Sequence, residues 1–153
     1  MELKLIAGTA NPELAAQVSE ALGVELTPVG TKSFADGEVF VQIDENIRGC
    51  DVYVIQPTCQ PVNDALMELL LTIATLRRSG AGQITAVVPY YGYARQDRKD
   101  RPQTTISAAD VASMIEVRCH STAPSPPPSP PAQRRPGPPG VECSHACRRN
   151  NRS

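Results

Sequence analysis

No apolar run in this 153-residue chain approaches the roughly 20 residues that a membrane-spanning helix requires, so no membrane span is expected. A secretory leader is not expected either, because Met1-Glu2-Leu3-Lys4 runs straight into a strand-like Leu5-Ile6-Ala7-Gly8. Cysteine is scarce before residue 118, where only Cys50 and Cys59 occur. Two such cysteines suggest no disulfide framework, and a reducing cytosol is the expected compartment. Beyond residue 117 large apolar side chains all but disappear, leaving Val141 alone. Such a segment cannot build a core, and ordering it costs more conformational entropy than burial returns.

What is present divides the chain in two. Residues 1–117 carry nine Lys/Arg against fifteen Asp/Glu, whereas residues 118–153 carry six Arg against one Glu. The overall charge of −1 therefore hides an acidic body and a basic tail. Nine of the fifteen prolines also fall in the tail. The expected organisation is a globular domain over 1–117, its last helix truncated, followed by a disordered low-complexity segment over 118–153. Pro124–Pro131 would suit an aromatic-grooved partner. Cys119, His120, Cys143, His145 and Cys147 lack the usual zinc spacing, so no metal site is expected there. The arginines could touch nucleic acid nonspecifically, but no aromatic accompanies them, and no specific nucleic-acid partner is expected. An abrupt change within a helix, towards Pro, Arg, Ala, Gly and Ser, favours an out-of-frame or intron-derived origin for the tail. Intact-mass measurement of the native protein tests that reading.

Within the body, hydrophobic spacing places the elements. Leu3–Thr9 reads as a strand. Asn11 and Pro12 open a helix whose apolar residues Leu14, Ala15, Val18, Ala21 and Leu22 recur at helical spacing, and Gly23 closes it. Val24–Val29 and Glu38–Ile43 read as strands, the second preceded by the turn Ala35-Asp36-Gly37. Val52–Gln56 is a buried strand, and Asn63 or Asp64 caps a helix to about Arg78. Gln83–Val88 is a further buried strand, and Ser107 with Asp110 predicts a capping box. Strands alternating with helices imply a doubly wound parallel α/β sheet.

After Val88 the chain reads Pro-Tyr-Tyr-Gly-Tyr-Ala and then opens into a loop bearing Arg95, Arg98, Lys99 and Arg101 with Asp97 and Asp100. In a parallel sheet, the loop leaving a strand's carboxyl end is where ligands sit. Arginine forks match phosphate oxygens, and interleaved aspartates suit a bridging cation, so a nucleotide phosphate with magnesium is the expected ligand. Chemistry alone leaves other readings open. A mixed-charge run after a strand is more often a solvated loop, the tyrosines could be packing residues, and Phe34 could be core. Asp36-Gly37 is an ordinary turn signal, and Arg48 before Gly49 could simply close a turn.

Three segments in order narrow the choice: Phe34-Ala35-Asp36-Gly37-Glu38, Asn63-Asp64-Ala65-Leu66-Met67-Glu68-Leu69-Leu70, and the run from Val88 to Asp100. With Asp51-Val52-Tyr53-Val54-Ile55-Gln56 between the first two, they resemble the ribose-phosphate diphosphokinases (phosphoribosyl pyrophosphate synthetases) over about residues 3–116. The resemblance implies a phosphoribosyltransferase-like fold. It also implies part of an enzyme that transfers diphosphate from ATP to ribose 5-phosphate for nucleotide biosynthesis, with Mg2+ and release of AMP. It places Arg95, Gln96 and Asp100 in the ATP site. Phe34, Asp36 and Glu38 would lie on a flag-like hairpin that reaches a neighbouring subunit's adenine pocket. Asn46, Arg48 and Arg101 match a region that handles regulatory phosphate. A cytoplasmic homo-oligomer, or assembly with a full-length paralogue, follows.

The sequence also departs from that family. Its Asp-Leu-His segment, its mobile loop of catalytic basic residues and its Thr/Gly-rich ribose-phosphate loop have no counterpart here. Ala109-Asp110 stands where the family more often has a lysine and then an apolar residue. No catalytic residue is therefore assigned, and the chain alone is expected to be inactive. The alternative expectation is a non-catalytic regulatory or structural subunit that docks into a family oligomer.

Overall fold

Local signals determine the first unit of the structure, a computed structural model describing residues 2–99, 103–119 and 141–143. Strand β1 (Leu3–Ala7) turns Leu5 and Ile6 to opposite faces, as the two-residue period of a strand requires. Helix α1 (Pro12–Leu22) follows, with the Asn11 Oδ1 accepting the N–H of Leu14 at 3.0 Å and Pro12 in the first turn. Gly23, at φ 65°, closes it in the left-handed conformation that glycine adopts without strain. Asn11→Ala should lower stability by about 1 kcal/mol, read as a shifted urea midpoint with unchanged slope.

The second strand differs from the expectation. Of Val24–Val29, Leu26 makes only an isolated parallel bridge to Leu5, and the N–H of Thr27 donates to the Leu5 carbonyl at 2.7 Å. Pro28 has no N–H to continue that ladder, so the chain leaves the sheet there. It re-forms as β2 (Val29–Ser33), antiparallel to β3 (Val39–Ile43) in a separate hairpin. Glu38 belongs to the turn rather than to β3: its carbonyl accepts the Phe34 N–H at 2.8 Å.

Strand β4 (Asp51–Ile55) lies parallel beside β1, and β5 (Gln83–Val88) lies parallel beside β4. Between them runs α2 (Val62–Arg78), with Pro61 at the N-cap position and no side-chain cap bond. Asn63 and Asp64 thus sit inside the first turn rather than capping it, and Asp64 still complements the helix dipole. Helix α3 (Ser107–Cys119) likewise begins at Ser107, whose hydroxyl bonds Gln96 instead of closing a capping box.

The boundary expected after Val117 falls inside α3, which continues through Cys119. The reason is spacing: Val111, Ile115 and Cys119 are buried at four-residue intervals and carry the apolar face onward. Within the expected tail, Val141–Cys143 forms β6, parallel to Ala86–Val88 of β5. The rest of that tail lies outside the described residues. The sheet order is β1-β4-β5-β6, all parallel, with the Leu26 bridge on the free side of β1.

Helices cover both faces, which is the doubly wound arrangement. Ile6, Val52, Val54, Ile84, Ala86 and Val88 pack against α2 and α3. Leu5 and Ile55 pack against Ala15 of α1 on the other face. Helix α1 leaves part of that face open, a groove of about 400 Å³ lined by Leu3, Leu22, Tyr53, Val87 and Pro89 among others. Among the described residues no helix is long and apolar enough to cross a membrane.

Burial pushes the Cys119 thiol up to about 11 from 9.0. The neutral thiol is favoured in the fold, whereas the unfolded thiol ionises near 9.0, so this contribution is complete below pH 9.0 and is lost towards about 11. The stability gap between wild type and Cys119→Ala should therefore shrink across that window in urea titrations.

Candidate functional site

The carboxyl ends of β4 and β5 are tied together before the cationic loop begins. Thr58 donates its N–H (2.8 Å) and its hydroxyl (3.1 Å) to the Tyr90 carbonyl, while its Oγ1 accepts the Gly92 N–H at 2.7 Å. Tyr91 is buried, and its hydroxyl donates to the Ala108 carbonyl at 2.7 Å, so it has a packing role. Tyr93 adopts φ 65°, and its hydroxyl donates to Oδ1 of Asn63 in the first turn of α2. The Gln96 N–H then donates to the Tyr93 carbonyl at 3.0 Å, closing a turn with Ala94 and Arg95 at its corners. Gln96 binds α3 twice, accepting the Ala108 N–H at its carbonyl (3.2 Å) and the Ser107 hydroxyl at its side-chain oxygen.

That framework presents charge to solvent. Arg95, Arg98 and Lys99 are exposed, and none of them makes an ion pair with another described residue. Cations held this way suit an anion with several oxygens, each charge-assisted contact contributing about 1.5–3 kcal/mol. Asp100 and Arg101 lie outside the described residues.

The hairpin forms a second group at the same end of the sheet. Phe34, Asp36 and Glu38 are all exposed at its tip, and Oδ1 of Asp36 accepts the Glu38 N–H at 3.1 Å. Asp36 therefore shapes the turn that carries it. The rings of Phe34 and Phe40 meet edge to face, their centroids 6.3 Å apart, and both remain exposed. Phe34 is not core. Residues Lys32 and Val39 of the hairpin, with Thr9, Asp64 and Glu68, line a cavity of about 360 Å³ between β1 and the first turn of α2.

Asn46 and Arg48 are not gathered with these groups. Oδ1 of Asn46 accepts the Arg48 N–H at 3.2 Å, and the Arg48 side chain packs against Gly80, just before β5. That is the amino end of the sheet, roughly 20 Å from Arg95 along a strand of β5's length. Lys4 lies at the same end, pairing with Glu45 (2.6 Å) and Glu2 (2.9 Å). Hydrogen bonding to Glu45 and then Glu2 raises the Lys4 pKa, and the bond from Lys4 lowers that of Glu45.

Sequence reasoning missed Glu68, the most enclosed carboxylate described. It is 5 % exposed, and accepts the Thr9 N–H (2.9 Å), the Thr9 hydroxyl (2.5 Å) and Nε2 of Gln56 (3.0 Å). The available signal was its position in the apolar stripe between Ala65, Leu69 and Thr72. Glu68 takes the Thr9 N–H and Oε1 of Gln56 takes the Ala10 N–H at 3.3 Å, so amides of the β1–α1 loop, where many doubly wound proteins hold phosphate, are already occupied. The β5 exit loop is then the phosphate-suited place. Among the described residues no three metal-ligating side chains gather.

Known proteins match this chain over most of its described length. A family model described as the N-terminal domain of ribose phosphate pyrophosphokinase matches residues 3–118. Ribose-phosphate pyrophosphokinase of Gloeobacter violaceus is 60% identical over 113 residues, covering 74% of this chain and 34% of that protein. The chloroplastic ribose-phosphate pyrophosphokinase 1 of Oryza sativa is 52% identical over 113 residues, covering 74% of this chain and 28% of that protein. The crystal structure of phosphoribosylpyrophosphate synthetase from Mycobacterium smegmatis superposes with a TM-score of 0.75 at 47% identity, covering 77% of this chain and 40% of that one. The chain thus spans 34% or less of the length of these two curated relatives.

Proposed function

The chain belongs to the ribose phosphate pyrophosphokinase family, and on that footing we propose that it is the amino-terminal, nucleotide-binding part of an enzyme transferring diphosphate from ATP to ribose 5-phosphate. The observation supporting this reading most directly is that the family match, residues 3–118, runs unbroken through both the hairpin and the β5 exit loop. Arg95 meets the phosphates, Asp100 and Gln96 serve the same ATP site, and Gln96 acts mainly by anchoring the turn to α3. Magnesium arrives with the nucleotide and neutralises charge on the moving diphosphate. Phe34, Asp36 and Glu38 serve the adenine of a neighbouring copy, since an exposed aromatic on a projecting hairpin can stack on a base. Asn46, Arg48 and Arg101 serve a separate regulatory phosphate. The working unit is the amino-terminal body, which the composition break puts at residues 1–117 and α3 carries through Cys119, and its cytoplasmic assembly is a homo-oligomer.

Calorimetric titration of the full chain with ATP, with and without Mg2+, tests the reading. Binding that strengthens with Mg2+ is expected, and absence of binding at millimolar ATP would sink it. Arg95→Ala should weaken that binding about tenfold or more without moving the melting temperature, the loss expected for a charge-assisted contact at an exposed residue. The purified chain should form no AMP in a ribose 5-phosphate-dependent manner, because orienting both substrates supplies much of the rate. Measurable AMP would overturn that part. The exposed Phe34 and Phe40 favour a second reading, a subunit docking into a family oligomer. Co-purification with a full-length relative distinguishes it.

A further inference from the structure

We infer that Tyr93 and Asn63 form a positioning pair that aims Arg95, a conclusion that rests on the nucleotide reading above. The observation is a backbone outlier with a tether. Tyr93 holds φ 65°, a conformation that a bulky L-residue adopts only when its surroundings over-determine it. The surroundings here are specific. On its amino side, the Gly92 N–H is held by Thr58 Oγ1 at 2.7 Å. Its carbonyl accepts the Gln96 N–H at 3.0 Å, and its hydroxyl donates to Asn63 Oδ1. The turn of residues 93–96 therefore hangs between two helix starts, fixed to α2 through Tyr93 and to α3 through Gln96. Arg95 occupies the corner of that turn, and its guanidinium stays exposed.

A purely structural tyrosine needs no such geometry. Tyr93 is 36% exposed and Asn63 is exposed as well, so the bond between them is made at the surface rather than in the core. What the pair does achieve is to fix where the Tyr93–Gln96 turn begins, and with it the direction in which Arg95 leaves the sheet. Fixing a phosphate-binding group before the ligand arrives removes ordering cost from the binding step.

The experiment uses the full chain with Tyr93→Phe, Asn63→Ala, Asn63→Asp and Tyr93→Gly, and two readouts. The first needs no nucleotide: the rate of trypsin cleavage after Arg95 and Arg98 under native conditions. Tyr93→Phe and Asn63→Ala should raise it roughly fivefold, the loss of one hydrogen bond, while Asn63→Asp, which keeps the acceptor, should restore the wild-type rate. The second is calorimetric affinity for Mg-ATP, expected to fall by a similar factor in the first two variants and to be kept by Asn63→Asp. Tyr93→Gly relieves the backbone strain but gives up both the ring's packing and its tether to Asn63, so it should bind Mg-ATP at least as weakly as Tyr93→Phe. Unchanged cleavage in both Tyr93→Phe and Asn63→Ala overturns the pairing. Faster cleavage with unchanged affinity overturns its purpose. If the wild-type chain binds no Mg-ATP, the nucleotide reading fails, and the cleavage rates alone decide whether the pair fixes the loop.

Discussion

Glu68→Ala should lower the unfolding free energy by about 3 kcal/mol, the range seen when a buried charge–dipole cluster loses its centre. Three donors converge on this carboxylate from two other elements: the N–H and hydroxyl of Thr9 after β1, and Nε2 of Gln56 after β4. Water can reach Thr9, which is exposed, whereas Gln56 is 0% exposed in the fold. With Glu68 gone, its amide keeps only a 3.3 Å bond to the Ala65 carbonyl from that side. Glu68→Gln should cost roughly half as much, because one carboxamide oxygen can still accept while its NH2 confronts a donor. Urea midpoints at unchanged slope measure both losses. A shift below about 0.5 kcal/mol in Glu68→Ala would show that the network is slack, since only ordinary surface substitutions fall that low.

Gly92→Ala is the second large effect. A Cβ there would lie 2.6 Å from Cγ1 of Val62 and 2.8 Å from the Thr58 carbonyl oxygen. Backbone cannot move aside as a flexible side chain would, so the exits of β4 and β5 must separate. Overpacking of this kind costs about 1–3 kcal/mol. The functional loss should exceed the stability loss, because the Gly92–Thr58 bond at the root of the Arg95 turn breaks with the separation. Mg-ATP affinity should fall by at least tenfold even in the folded fraction, a drop of about 1.4 kcal/mol. Gly37→Ala offers the contrast. Its Cβ meets nothing within 4 Å, so only the φ of 89° opposes it, and the β5 loop should be unaffected. Equal affinities for wild type and Gly92→Ala would mean that the two strand exits are not coupled to the loop.

Much of this architecture was readable from local chemistry. Asn11, Pro12 and Gly23 mark both ends of α1 in the chain itself, and the largely apolar runs of β4 and β5, with Thr85 as the one polar residue inside β5, admit few readings other than buried parallel strands. The family resemblance was legible because its segments keep a fixed order along the chain, and they fall on the hairpin turn, the first half of α2 and the exit of β5. The misreadings share a cause in tertiary context. Val24–Val29 has strand composition, yet Pro28 ends its ladder and moves the strand forward into a hairpin. Ser107 had a ready partner in Asp110 and chose Gln96, eleven residues back. Glu68 looked like one more charge on a helix because no spacing rule reports the Thr9 and Gln56 donors that fold around it. The separation of Asn46 and Arg48 from Arg95 depends on which end of the sheet each loop leaves, and strand order alone decides that.

The parallel order of the sheet also governs when it can form during synthesis. Leu3 pairs with Asp51, and Asp51 pairs with Gln83, so no strand of the sheet meets its partner until dozens of further residues have been made. At ordinary translation speeds of about 5–20 residues per second, β1 waits roughly 2–10 s for β4. Through that interval α1 and the β2–β3 hairpin are the only elements able to close on themselves, and the nascent chain must carry an unpaired apolar strand past the ribosome's exit.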